Sequence, residues 1–254
     1  MAKRPAPDVS DRRRQARAAQ LAAIAKAKRR RKLTQLGIVG GVAVLVIAIV
    51  TTAVLLGRGG TATAAPTVDA TVSVGGQSVP FAIDGSAIRI GPADAKATID
   101  LWVDYSCSHC QDFEEANGDV INGLVAKGNV AVRYHQIQIV TDYGLQAGSA
   151  SACVAVHDPS VWVTFNRALY SNHGTETDGW TAGDFGAFAA AQGAGTASQE
   201  CIGAERYVDW IGDNTAASTG AGVKGTPAMF LNGQPSEVLT GQALVAKVDE
   251  LAAA

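Results

Sequence analysis

Cysteine is scarce in this chain, at four residues in 254. That is too few for a mini-protein held together by disulfides alone. The 28 glycines show no three-residue period, which excludes a collagen-like rod, and an apolar content of 47% excludes a wholly disordered chain. No internal repeat is visible. Charge of one sign is missing in two places. Before residue 36 only Asp8 and Asp11 oppose twelve Lys/Arg, whereas beyond residue 58 only eight Lys/Arg face twenty-one Asp/Glu. Between the two, Leu36 to Gly57 (LGIVGGVAVLVIAIVTTAVLLG) holds no charge in twenty-two residues. The net charge of −2 conceals this sorting, which a uniform soluble protein does not show. The length suits one substantial domain with appendages, or two small domains.

At about 1.5 Å per residue, a helix over 36–57 spans about 33 Å, matching a hydrocarbon core of about 30 Å. Lys26, Lys28, Arg29, Arg30, Arg31 and Lys32 precede it and only Arg58 follows. Lys/Arg-rich flanks stay cytoplasmic, so residues 58–254 are expected outside, on a single-pass anchor. The competing reading is a cleavable signal peptide. Its apolar region would be shorter, about 7–15 residues, although Ala62-Thr63-Ala64 does resemble a cleavage site. Arg29-Arg30-Arg31 matches a twin-arginine signal only loosely. The basic segment 1–35 has no aromatic residue for base stacking, and the outer part is acidic, so no nucleic acid is expected. A polybasic segment held by anionic lipid, at about 1 kcal/mol per cation, accounts for it. Residues 58–78, small and punctuated by Gly and Pro, read as a flexible linker; some twenty extended residues reach at most about 65–70 Å.

From Val79 to Ala254 the pattern is globular. Val79–Ile83 and Ile88–Ile90 are short apolar runs, Thr98–Val103 suits a buried strand, and Val130–Val140 alternates as another. Phe113, Ala116, Val120, Ile121 and Leu124 recur at helical spacing, with Gly118 and Gly123 expected to weaken or bend that helix. Helical patterns fill about 145–217: Leu145–Val156, Val161–Tyr170, Ala182–Ala191 and Ala197–Trp210. A short strand, Ala228–Leu231, ends at Asn232-Gly233, a hairpin-turn signal, and Gly241–Leu251 reads as a last helix. The order is that of an α/β fold with a helical insertion.

Cys107-Ser108-His109-Cys110 follows a buried strand and opens a helix. Cysteines three apart there can close a small disulfide ring, with the first sulfur near the unsatisfied N–H groups and positive dipole end. Such a site favours the thiolate, moving its pKa from about 8.5 toward 3.5–7.5, and a protonated His109 would add to this. Asp104, Asp112, Glu114 and Glu115 would oppose it, though solvated charges are largely screened beyond about 8–10 Å. Half a zinc site is the alternative, but Cys153 and Cys201 stand alone rather than as a second ligand pair, so no metal is expected. A merely structural Cys107–Cys110 bridge would close too small a loop to constrain much chain. In an outward compartment Cys153 and Cys201 are expected to pair, closing a loop of about 49 residues for about 4 kcal/mol; two free or redox-active cysteines are the alternative. Gly220-Ala221-Gly222-Val223-Lys224-Gly225 fits a dinucleotide fingerprint but is followed by Pro227 and a strand where a helix is required, and no cofactor is expected. His135, His157 and His173 have no ligand or nucleophile spacing and read as structural or surface residues.

Trp102-Val103-Asp104-Tyr105-Ser106-Cys107-Ser108-His109-Cys110-Gln111-Asp112-Phe113 resembles the active-site segment of DsbA-like thiol–disulfide oxidoreductases of the thioredoxin superfamily. Val223-Lys224-Gly225-Thr226-Pro227-Ala228-Met229-Phe230-Leu231-Asn232-Gly233 resembles that family's cis-proline segment. The resemblance covers about Val79 to Ala254 and implies a thioredoxin-like fold with a helical insertion. It also implies Cys107 as nucleophile, Cys110 as resolving partner, and a cis Thr226–Pro227 bond facing them, where exposed backbone meets an extended substrate. Ser108 stands where family members often carry proline. The implied activity is oxidation of exported proteins, with a quinone-linked membrane partner, DsbB-like or similar to vitamin K epoxide reductase, as reoxidant. A reductase or isomerase, and a non-catalytic anchored binding module, are the alternatives.

Overall fold

The computed structural model describes residues 64–254. The basic segment 1–35, the apolar span 36–57 and the first part of the linker lie outside the described residues. Among the described residues, no helix is long and apolar enough to cross a membrane.

Seven strands form one mixed sheet in the order β1-β2-β3-β5-β4-β6-β7. They are β1 (Asp69–Val74), β2 (Gln77–Asp84), β3 (Ala87–Ile90), β4 (Ala97–Val103), β5 (Val130–Gln136), β6 (Ala228–Leu231) and β7 (Gln234–Ser236). Only β4 and β5 run parallel, in register from Ala97↔Val130 to Val103↔Gln136. A parallel pair needs a crossover, and helix α1 (Ser108–Val125) supplies it. Its eighteen residues are continuous despite Gly118 and Gly123. Helices α2 (Asp142–His157), α3 (Pro159–Asn172), α4 (Ala182–Ala191), α5 (Thr196–Gly203) and α6 (Val208–Ser218) follow β5, and α7 (Gly241–Ala253) closes the chain. Helices α1 and α7 pack on each other and against β4 and β5. Ile99, Leu101, Val132, Ile121, Leu244 and Val248 are fully buried between them. The β6–β7 hairpin turns at Asn232 and Gly233, with φ of 49° and 74°, the left-handed pair that an Asn-Gly turn accommodates. Asn232 also accepts from the Thr98 N–H at 2.7 Å, which pins the hairpin to β4.

Three expectations from the sequence are corrected. Part of the stretch read as linker is strand: Asp69–Val74 pairs antiparallel with β2, burying Val72 and Val74. The strand read over Val130–Val140 stops at Gln136. After Ile137, whose N–H still bonds Val103 C=O, side-chain acceptors capture the backbone donors: Thr215 Oγ1 takes the Gln138 N–H, and the Asp104 carboxylate takes those of Ile139 and Val140. Those two side chains turn to solvent, 51% and 57% exposed. Finally, the helix read over Ala197–Trp210 is two helices. Arg206 N–H bonds Cys201 C=O and Glu205 N–H bonds Ile202 C=O, a Schellman cap with Glu205 at φ 49°.

Candidate active site

Strand β4 delivers the chain to the end of the sheet, and a turn closed by Cys107 N–H on Asp104 C=O (3.1 Å) swings it into α1. Cys107 is the N-cap residue, with extended φ/ψ of −88° and 119° and no side-chain cap. Its sulfur therefore lies among the first free N–H groups of the helix. Cys107 is 7% and Cys110 1% exposed, and both are free thiols.

From the far side of the sequence, the loop before β6 brings the cis Thr226–Pro227 bond against the pair. Cys107 Sγ lies 3.4 Å from the Thr226 carbonyl oxygen, to which its thiol donates. On ionisation other groups take over. The Cys107 thiol is pushed down to about 5, chiefly because Cys110 donates a hydrogen bond to it. Thr226 and the backbone N–H groups of Cys110 and His109 add to this, against the desolvation of burial. Cys110 moves the other way: donating to Cys107, and its own burial, hold it as a thiol. The two sulfurs thus divide into one anionic and one protonated partner.

The other residues singled out in the sequence fall in different places. Ser108 and His109 are exposed on the first turn of α1, and His109 acts on the sulfur through its backbone N–H. Cys153 in α2 and Cys201 in α5 form a disulfide, with Cα atoms 5.7 Å apart. Two of the acids expected to be solvated are instead buried. Asp104 is wholly inaccessible, and Glu114 is 6% exposed. Burial pushes Glu114 up to about 7, against the attraction of Arg167. His135 is buried between Ser86 and Asp100, stacked on Trp102, and His173 pairs with Asp178. The glycine-rich stretch 220–225 lies in the loop between α6 and β6. Among the described residues no cluster of His, Cys, Asp and Glu is arranged to hold a metal ion.

Two features escaped the sequence reading. An open, mainly apolar cavity of about 390 Å³ adjoins the pair, with His109, Phe113, Ala116, Pro227 and Val238 in its lining. Phe113 read as an ordinary core position of α1, and Val238 lies in a loop with no periodic signal. Behind the pair, the Tyr105 hydroxyl sits 2.7 Å from Asn166 Oδ1 and 2.9 Å from Ser151 Oγ, and Gln136 donates to it at 3.2 Å. That network ties the residue two before Cys107 to α2 and α3. Burial raises the Tyr105 hydroxyl well above the usual tyrosine range.

The thioredoxin family profile matches residues 84–250. Among solved structures, reduced DsbA from Mycobacterium tuberculosis is 24% identical with a TM-score of 0.58, covering 66% of this chain and 92% of that one. The reduced disulfide bond oxidoreductase DsbG of the same organism is 25% identical with a TM-score of 0.58, covering 66% and 88%. BdbD from Bacillus subtilis is 18% identical with a TM-score of 0.56, covering 65% and 92%. A stretch of 102 residues is 29% identical to the serine/threonine-protein kinase PknE of Mycobacterium tuberculosis, covering 37% of this chain and 18% of the kinase. The chain thus spans less than a fifth of the length of the curated relatives it matches. The chain belongs to the thioredoxin family and has the fold of its DsbA-type thiol–disulfide oxidoreductases.

Proposed function

We propose that the protein introduces disulfides into exported proteins through Cys107 and Cys110. A client thiolate attacks Cys107 Sγ of the Cys107–Cys110 disulfide. The S–S bond breaks, and Cys110 leaves with the electron pair and takes up a proton. A second client thiolate then attacks the client sulfur of the mixed disulfide and releases Cys107 as a thiolate. Two client thiols are oxidised and the pair is reduced by two electrons. In this direction Cys107 is the sulfur attacked and then the leaving group; it becomes the nucleophile when the reduced pair is reoxidised, and Cys110 is the resolving partner. Thr226 and Pro227 form the wall along which an extended client lies. Ser108 sets the turn between the cysteines, and the backbone of His109 tunes the sulfur. Cys153–Cys201 takes no part and braces the helical block.

One observation carries this reading: the Cys107 sulfur is held anionic at a helix start, against Thr226, beside an open apolar cavity. A low thiol pKa stabilises the reduced form, which makes the disulfide the stronger oxidant. The charge-free span 36–57 and its basic flank support an extracytoplasmic domain on a cytoplasmic-N-terminal anchor. Such a pair must be reoxidised, and a membrane quinone-linked partner, DsbB-like or vitamin K epoxide reductase-like, fits that placement.

The test is oxidation of reduced, denatured RNase by the oxidised protein. Native disulfides form with wild type and not with Cys107→Ala. Equal behaviour of the two overturns the oxidase. A pair found mainly reduced in cells by alkylation shift assigns the protein to reduction or isomerisation instead. Failure to exchange with glutathione at any poise leaves an anchored binding module.

A further inference from the structure

One buried carboxylate beside the pair takes no part in the exchange just described. Asp104 is wholly inaccessible, and no cationic side chain among the described residues pairs with it. Four hydrogen-bond donors meet its charge instead. Oδ1 accepts from Ser106 N–H (2.7 Å) and Ser106 Oγ–H (2.6 Å), and Oδ2 from the N–H groups of Ile139 (2.7 Å) and Val140 (2.9 Å). A carboxylate offers about four acceptor sites, so this one is saturated.

The donors belong to two separate stretches. Ser106 immediately precedes Cys107, whereas Ile139 and Val140 lie in the loop leading into α2. Thr141 strengthens the link by donating its N–H to Ser106 Oγ at 3.1 Å. The approach is close enough to dictate a neighbour. A Cβ at Gly144, in the first turn of α2, would lie 2.1 Å from Asp104 Oδ1 and 2.9 Å from Ser106 Oγ.

The large apolar side chains left exposed in the described residues are Ile139, Val140 and Val238. Val238 lines the cavity beside Pro227, and the other two hang from the Asp104 clasp. Because the same carboxylate holds Ser106, the residue before Cys107, Ile139 and Val140 are tied to the turn that carries the sulfur. We infer that Asp104 is a positioning residue, holding the Ile139–Val140 loop at the rim of Cys107 so that an unfolded, apolar client docks there. The inference rests on the thiol-exchange reading above. It predicts discrimination, because an unfolded chain offers apolar side chains to this rim and glutathione offers none.

The test uses the oxidised full chain as wild type, Asp104→Asn, and the double variant Ile139→Ser/Val140→Ser. Second-order rates of reduction are measured with reduced denatured RNase and with glutathione. In both variants the ratio of client rate to glutathione rate is expected to fall about tenfold. Should Asp104→Asn not fold, Ser106→Ala, which removes the hydroxyl shared by Asp104 and Thr141, makes the same test. A ratio kept within about twofold in either variant, or a proportional loss of both rates, overturns the role. Wild type exchanging with neither thiol would instead defeat the exchange reading itself.

Discussion

The Cys107 sulfur and the Thr226 carbonyl oxygen lie 3.4 Å apart, although 119 positions separate them in the chain. The contact joins the start of α1 to the loop before β6, and Thr226 is among the groups that lower the Cys107 thiol. Thr226→Val keeps the shape and removes the hydroxyl. The Cys107 ionisation midpoint, near 5 in wild type, should rise by up to roughly one pH unit. The pH dependence of iodoacetamide alkylation reads this; an unmoved midpoint would remove Thr226 from the tuning of the sulfur.

The lowered Cys107 thiol also fixes how redox behaviour follows pH. Its folded pKa lies below the ordinary thiol value, so ionisation favours the folded, reduced state above that ordinary value. The benefit shrinks as pH falls and is lost through about pH 5. Reduction of the disulfide therefore takes up one proton rather than two over this window. The midpoint potential should fall by about 30 mV per pH unit between about pH 5 and 8, half the slope of an ordinary dithiol. Potentials measured at several pH values check this, and a slope near 60 mV would mean an unperturbed thiol.

Cys153 and Cys201 close a long loop across the helical block. Replacing both with Ala should lower unfolding free energy by about 3–4 kcal/mol through the restored entropy of the unfolded chain. Denaturant titration measures the loss. Thiol exchange at Cys107 in the folded variant should persist, since the disulfide joins α2 to α5 and touches neither thiol.

Glu114 provides a pH-dependent element of opposite sign. Its folded pKa is raised to about 7 by burial, so the stability that depends on its proton is present at low pH. It is lost as pH rises through 7. Glu114→Gln should stabilise the protein by about 2–3 kcal/mol at pH 8 and by little at pH 4. Urea midpoints for both chains at the two pH values decide it.

Much of this molecule was legible in the sequence because its signals are local. Ala228–Leu231 and Ala182–Ala191 form the strand and helix that their residues spell, and Asn232-Gly233 marks its hairpin. What failed was set by tertiary partners. Nothing between Val130 and Val140 shows that Asp104 and Thr215 will take the backbone donors of residues 138–140. The break between α5 and α6 uses Glu205, not glycine, in the left-handed position, so it carries no punctuation. Asp69–Val74 became a strand because Val72 and Val74 find a sheet to cover, which composition alone does not disclose. At the site, Cys107, Cys110, Thr226 and Pro227 were visible as motifs. The buried state of Asp104 and Glu114 was not, because a charged residue beside a motif reads as solvated until its donors or its packing are known.

The most direct measurement equilibrates the full chain with glutathione buffers of graded ratio and counts the Cys107 and Cys110 thiols by alkylation. A reversible two-electron transition on the oxidising side of about −180 mV is the predicted result. A pair that never exchanges, or whose midpoint lies near the thioredoxin value of about −270 mV, would contradict the account.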